Sequence, residues 1–299
     1  MATQVDSPVR MAWEELGSGK PAAKVMLWSA PRSLSTVFER SIIALGTSDV
    51  YNEMYTAAYL FGPERLWLKR LPSLAPTLSH AKVTKKLNQA AQKTQNASVH
   101  FAKDFAFAVQ GHFDELPEDF VHTFLIRNPV KVFTSLKPRL EASRLSKMVV
   151  GTSILGCIPA EGYTIKELYD LFEYMEHKTR KTPIVIDADD LLNDPEGMMQ
   201  QYCSATGIPY DEKMMQWKPA KPSELRWHCP RVLRASNLFM GWYDAALSSS
   251  GFRKPTPKKI DVNDLPAELR EAIEFTSPYY QAMYKMRLRP DNYKQGSTD

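Results

Sequence analysis

From Pro31 to Thr36 the chain reads Pro-Arg-Ser-Leu-Ser-Thr, one guanidinium and three hydroxyls set between the apolar run Lys24–Ser29 and the helix-spaced segment Val37–Leu45. Such an order describes a strand, a turn and a helix start. The first backbone N–H groups of a helix lack intrahelical partners and its dipole is positive there, so a turn bearing Arg and hydroxyls suits a phosphate or sulfate. No Gly lies between Lys24 and Leu45. The Gly-x4-Gly-Lys-Ser/Thr arrangement that carries magnesium and a triphosphate is therefore absent from this turn.

A second turn repeats the logic. The unbroken apolar and β-branched run Phe120–Ile126 reads as a buried strand, and it leads into Arg127-Asn128-Pro129 with Ser135 eight residues beyond the arginine,. A planar guanidinium suits bidentate phosphate contact, and a serine adds a neutral donor. Two anion sites at neighbouring strand ends point to one ligand with phosphates at two positions. A 3′-phosphorylated adenosine with a 5′-phosphate or phosphosulfate has that layout.

Positioning these turns requires strands that alternate with helices. Strands are expected at Asp49–Glu53, Ser98–Asp104 and Ile184–Asp187, and helices at Ala81–Gln95, from Val130, over Tyr163–Lys181 and over Asp190–Thr206, with Gly207 as a stop,. Asp189 and Asp190 are expected to cap that last helix. Met54–His80, with Pro63, Pro72 and Pro76, reads as irregular helical cover. The pattern predicts an α/β fold with a doubly wound, mainly parallel sheet flanked by helices and ligands outside the carboxyl ends of the strands. Residues 1–20 are expected to be an extension and 21–299 one domain, with 210–299 covering the sheet edge or the ligand.

Composition narrows the class. A chain of 299 residues with 43% hydrophobic content can bury a full core,. A net charge of +4 fits a small anionic ligand and shows none of the clustered basic stripes of a nucleic-acid groove,. The first twenty residues carry Asp6, Glu14 and Glu15 without a signal-like apolar core, and no run approaches the ~18 apolar residues of a membrane span,. A soluble, cytoplasmic protein without membrane or nucleic-acid partners is expected, its oligomeric state open and a homodimer allowed. Cys157, Cys203 and Cys229 are too scattered for a disulfide framework and read as small buried residues,. His100 and His122 fall inside strands and read as structural.

The motifs carry a resemblance. Pro31–Thr36 is similar to the 5′-phosphosulfate loop of the sulfotransferases that use 3′-phosphoadenosine 5′-phosphosulfate (PAPS). Ile126-Arg127-Asn128-Pro129 through Ser135 resembles their 3′-phosphate motif, and Asp189-Asp190-Leu191 with Asp194-Pro195 resembles the segment after their last core strand. The departures are Leu34 for a preferred Gly, Val37 for an adenine-contacting Trp, Ala188 for a Tyr, and Lys103-Asp104-Phe105 where the family has Lys-Thr-His. The family's Gly-rich C-terminal segment has no clear match, and Arg231 and Arg253 are its candidate replacements. The resemblance is thus to the wider superfamily, with its P-loop nucleotide-hydrolase-like fold, and implies transfer of a sulfuryl group from PAPS to a hydroxyl or amine of a small acceptor. It implies adenosine 3′,5′-bisphosphate as product and no metal. It assigns Arg32 to the charge on the leaving phosphate, Ser33, Leu34, Ser35 and Thr36 to the 5′ side, and Arg127 and Ser135 to the 3′-phosphate. Candidate bases are Glu53 first, then Asp104 and His112. Tyr55, Tyr59, Phe61 and Trp67, and the stretches Met148–Val150 and Ile154–Gly156, are candidates either for a lipophilic acceptor pocket or for core. A P-loop-like kinase or hydrolase and a catalytically silent nucleotide-binding protein stay open as alternatives.

Overall fold

Strands β1 (Ala23–Ser29), β2 (Ser48–Asn52), β3 (Val99–Phe105), β4 (Val121–Ile126) and β5 (Ile184–Asp187) form one sheet in the order β2-β3-β1-β4-β5. The computed structural model describes residues 22–65, 72–93, 97–142, 165–254 and 260–289. Every strand pairing is parallel, so successive strands are joined by crossovers, which carry α-helices except between β3 and β4, where two short 3-10 turns stand,. Between strands lie α1 (Ser35–Ala44), α2 (Met54–Phe61), α3 (His80–Lys93), α4 (Pro129–Ala142) and α5 (Ile165–Thr179), and after β5 follow α6 (Ala188–Asn193), α7 (Pro195–Thr206), α8 (Arg231–Met240), α9 (Asp244–Leu247) and α10 (Ala267–Lys285). The fold is the α/β architecture that the strand and helix periods require.

The two-residue period of a strand sends alternate side chains to opposite layers. Val25 and Leu27 of β1 join Phe38, Ile42 and Tyr202 on one face, while Met26 and Trp28 join Tyr55, Leu168 and Phe172 on the other. β4 repeats this, with Leu125 in the first layer and Phe124 and Ile126 in the second. Burying a side chain of this size contributes on the order of 2 kcal/mol. Trp28 is wholly buried and donates its indole N–H to His122 Nδ1 at 2.9 Å. His122 is therefore structural, and burial pushes its pKa down to about 4.

Register fixes where the turns emerge. Ser29 pairs with Phe105 and Leu125, Ile126 with Asp187, and Asn52 with Lys103, so the carboxyl ends of the strands share one edge. The turn after β1, Glu53, Asp104 and Arg127 all leave the sheet there, the edge at which open α/β sheets hold ligands.

Several local expectations change. Residues 190–206 form two helices, because Pro195 starts α7 and Asp194 caps it by accepting from Gly197 N at 3.1 Å,. Asp187, and neither Asp189 nor Asp190, caps α6, accepting from both of their backbone N–H groups at 2.9 and 3.2 Å. The side chains of Asp189 and Asp190 turn instead to Lys131 at 2.9 Å and Arg287 at 2.6 Å. Gly207 does end α7 in the left-handed region, φ 78°,. The segment after Pro209 seats on the sheet and α1: His228 N donates to Val50 O at 2.7 Å, and buried Arg40 donates to the carbonyls of Ala246 and Leu247 at 2.6 and 2.7 Å. Cys203 and Cys229 are free and buried. Trp67, Cys157, Met148–Val150 and Ile154–Gly156 lie outside the described residues. Among those described, no helix is long and apolar enough to cross a membrane.

Candidate functional site

The turn after β1 is bent by two non-glycine residues in the left-handed region, Arg32 and Leu34, each with φ 68°. An L side chain there costs roughly 1–2 kcal/mol, so the surroundings must hold the turn. Ser33 N donates to Ala30 O at 3.3 Å, and Arg127 Nη1 reaches across from the end of β4 to donate to Arg32 O at 2.7 Å. The two arginine turns therefore meet. Arg32 Nε donates to Ser135 Oγ at 3.2 Å and its Nη1 to Trp242 O at 3.5 Å, which draws α4 and the C-terminal segment to the same point. Leu34 is the N-cap of α1, and no side chain caps that helix. Ser29 Oγ, Ser33 Oγ and Arg127 Nε are buried and make no hydrogen bond within the protein. Burial lowers the Arg127 pKa against the pull of Asp189 and Asp187, and a guanidinium stays charged through such a shift.

The three acidic or His candidates are spent differently. Glu53 follows β2 directly at φ 51°, 4% exposed, with its N–H donating to Lys103 O at 2.7 Å. Its Oε1 pairs with the wholly buried Lys103 ammonium, and its Oε2 accepts from Tyr243 O–H at 2.6 Å. Tyr243 follows Trp242, so two adjacent residues tie Glu53 to Arg32. Asp104 belongs to the scaffold: it accepts from Tyr55 N at 2.6 Å, Thr56 N at 3.0 Å, Thr56 Oγ1 at 2.6 Å and Phe105 N at 2.9 Å, and so caps α2 from the neighbouring strand. Burial raises its pKa to about 7 against those hydrogen bonds. His112 stacks on His80 with ring centroids 4.2 Å apart and pairs with Glu115 at 3.1 Å. Neither Asp104 nor His112 touches Arg32, Ser135 or Trp242 in the hydrogen bonds above. Tyr55 and Tyr59 are core residues of the layer around Trp28.

Sequence reasoning missed Lys103 as Glu53's partner, Tyr243, and Glu39. Glu39, on α1, is 0% exposed with both carboxylate oxygens unbonded. Burial first, then Glu53 and Asp104, raise its pKa to about 8 against the pull of Lys103. Burial opposes the charge on Lys103, but Glu53 and Glu39 outweigh it and its pKa is raised. A polar residue within the amphipathic pattern of α1 was the available signal for Glu39; nothing local marked Tyr243. Arg231 lies on the first turn of α8 beside Met54 and Lys86, and Arg253 is exposed.

The carboxyl edge of the parallel sheet thus gathers two arginine turns, an uncapped helix start and a buried carboxylate. Residues 174–287 match the family model of the sulfotransferase domain. Among curated proteins it is 26% identical over 230 residues to branched-chain-amino-acid aminotransferase-like protein 2 of Arabidopsis thaliana and 26% identical over 258 residues to protein 1 of the same name. Those stretches cover 76% and 86% of this chain but 36% and 40% of the relatives, so the chain spans less than half of their length. Among solved structures it is similar to the sulfotransferase domain of the Synechococcus PCC 7002 olefin synthase, at 13% identity and TM-score 0.41 over 89% of this chain and 98% of that one. It is also similar to the sulfotransferase domain from the curacin biosynthetic pathway, at 13% identity and TM-score 0.42 over 86% and 98%.

Proposed function

We propose that this protein uses PAPS to sulfate a hydroxyl or amine of a small-molecule acceptor, with residues 21–299 acting as one sulfotransferase-like domain. The observation that carries the reading is the meeting of the two turns: Arg127 donates to Arg32 O at 2.7 Å while Arg32 donates to Ser135 at 3.2 Å. The residues fit a nucleotide with phosphates at two places, since Ser29, Ser33 and Arg127 bring buried polar atoms without protein partners to this edge. When bound, such a donor supplies a sulfuryl group whose transfer in line needs electrostatic stabilisation and little covalent help from the protein.

The chain's own parts divide that work. Arg127 and Ser135 hold the 3′-phosphate, and Ser33, Ser35, Thr36 and the backbone at Leu34 hold the 5′ side at the uncapped start of α1. Arg32, fixed from two sides by Ser135 and Trp242, balances the negative charge that grows on the leaving phosphate,. Glu53 takes the acceptor proton at Oε2, the oxygen not committed to Lys103. Its link to Arg32 through Trp242 and Tyr243 favours it over Asp104, whose oxygens cap α2, and over His112.

Titration calorimetry with adenosine 3′,5′-bisphosphate, run beside label transfer from radiolabelled PAPS to phenols, sterols, sugars and amines, tests this. The wild-type chain is expected to bind the bisphosphate, and Arg127→Ala to bind it about 10- to 100-fold more weakly, as loss of a charge-assisted hydrogen bond implies. Absence of heat with the wild type, or equal affinity in the variant, overturns the reading. Binding without transfer to any acceptor leaves the silent nucleotide-binding protein in its place.

A further inference from the structure

A groove of about 460 Å³ opens beside the end of β2, its lining including the apolar Met54, Leu78 and Trp227 and the cations Lys86, Arg231 and Arg234. Its size suits a small organic molecule. No carboxylate belongs to its lining. Cations at the same sheet edge are answered, Lys103 by Glu53, Lys131 by Asp189 and Arg287 by Asp190, whereas Lys86, Arg231 and Arg234 have no ion-pair partner among the described residues. Lys86 only lies 5.8 Å over the ring of Tyr51, and Arg234 is half-buried in the wall. Three unanswered cations around one concavity raise its potential and favour an anionic occupant.

Two residues of the lining connect the groove to Glu53. Met54 follows Glu53 directly, and Cys229, also in the lining, accepts from Asn52 Nδ2 at 3.4 Å. Asn52 Nδ2 donates also to the Tyr243 hydroxyl Oη at 3.3 Å, and that hydroxyl donates to Glu53. The lining thus combines cations with apolar surface, and two of its residues connect to Glu53, Met54 along the chain and Cys229 through Asn52 and Tyr243.

We propose that this groove binds the acceptor, and that the acceptor is an amphipathic small molecule with a carboxylate or similar anion. The anion sits on Lys86, Arg231 and Arg234, the body lies on Met54, Leu78 and Trp227, and the reacting hydroxyl points toward Glu53. The role of Glu53 rests on the sulfotransfer reading above; recognition of an anion by the groove does not.

The test uses the full chain and two fluorescent probes of the same ring system, anionic 8-anilinonaphthalene-1-sulfonate and neutral N-phenyl-1-naphthylamine. In Arg231→Gln/Arg234→Gln the Kd of the anionic probe is expected to rise at least tenfold, while that of the neutral probe stays within twofold. Lys86→Gln, on a different helix, is expected to act in the same direction, which covers poor folding of the double variant. 12-Hydroxydodecanoate is expected to displace the anionic probe at least tenfold better than its methyl ester, and to accept label from PAPS with at least tenfold higher kcat/KM. Unchanged probe affinity in both variants, or equal displacement by acid and ester, overturns the anion groove. Label preferring the ester, or reaching neither compound, overturns the acceptor role. If the wild type fails to bind the bisphosphate while the Arg231 and Arg234 dependence holds, the sulfotransfer reading falls and the anion groove stands.

Discussion

Glu39→Gln tests the buried charge cluster behind the site, because it removes one proton and almost no volume. Glu39 is wholly buried, its carboxyl oxygens are unbonded, and burial together with Glu53 and Asp104 holds its pKa at about 8. The folded chain therefore keeps a proton across the interval between an ordinary 4.5 and about 8, where the unfolded chain has lost it. Stability from this group is full below 4.5 and declines as pH rises through about 8,. About 3.5 pH units at 1.36 kcal/mol each is roughly 5 kcal/mol, comparable to the whole stability of many domains,. Urea unfolding followed by tryptophan fluorescence at pH 5, 7 and 9 measures it. Because part of that loss already falls below pH 5, the wild type is expected to lose about 4 kcal/mol more than Glu39→Gln between pH 5 and 9, a midpoint difference of about 1.3 M for a slope near 3 kcal/mol/M,. Asp104, raised to about 7 by burial, titrates in both proteins. Parallel stability profiles from pH 5 to 9 would refute the assignment of a neutral Glu39.

The remaining predictions separate chemistry from scaffold. Glu53→Gln is expected to lower turnover about a hundred- to ten-thousand-fold while bisphosphate affinity, read by calorimetry, stays within about twofold; undiminished turnover would return the base to another group. Asp104→Ala strands the buried N–H groups of Tyr55 and Thr56 and is expected to cost about 3 kcal/mol in thermal or urea unfolding, with transfer per folded molecule unchanged,. A stable Asp104→Ala protein that transfers nothing would contradict its scaffold role.

Repeating local patterns made much of the architecture legible. Apolar runs such as Phe120–Ile126 marked parallel strands, the change of period after Ser29 marked the first turn, and Gly207 marked a helix end, because backbone geometry is dictated by residues a few positions apart,. Arg32, Arg127 and Ser135 could be picked out for the same reason: each sits at a fixed offset from such a run. The boundary at Asp194-Pro195 was readable in principle, since proline cannot continue a helix from within,.

The partners of the titratable groups were another matter. Glu53, Asp104 and His112 are alike from sequence as polar residues near strand ends, and their difference comes from contacts across the fold. Tyr243 reaches Glu53 over 190 positions, Asp104 reaches Thr56 over 48, and the Lys103 ammonium is buried against Glu53 because parallel pairing sets β3 beside β2. Lys86 and Arg231 share a groove only because the C-terminal segment returns to the edge of β2. Backbone shape follows from neighbours along the chain, whereas desolvation and Coulomb energy depend on distance in space, and those distances exist only once the sheet has paired and the last segment has closed over it.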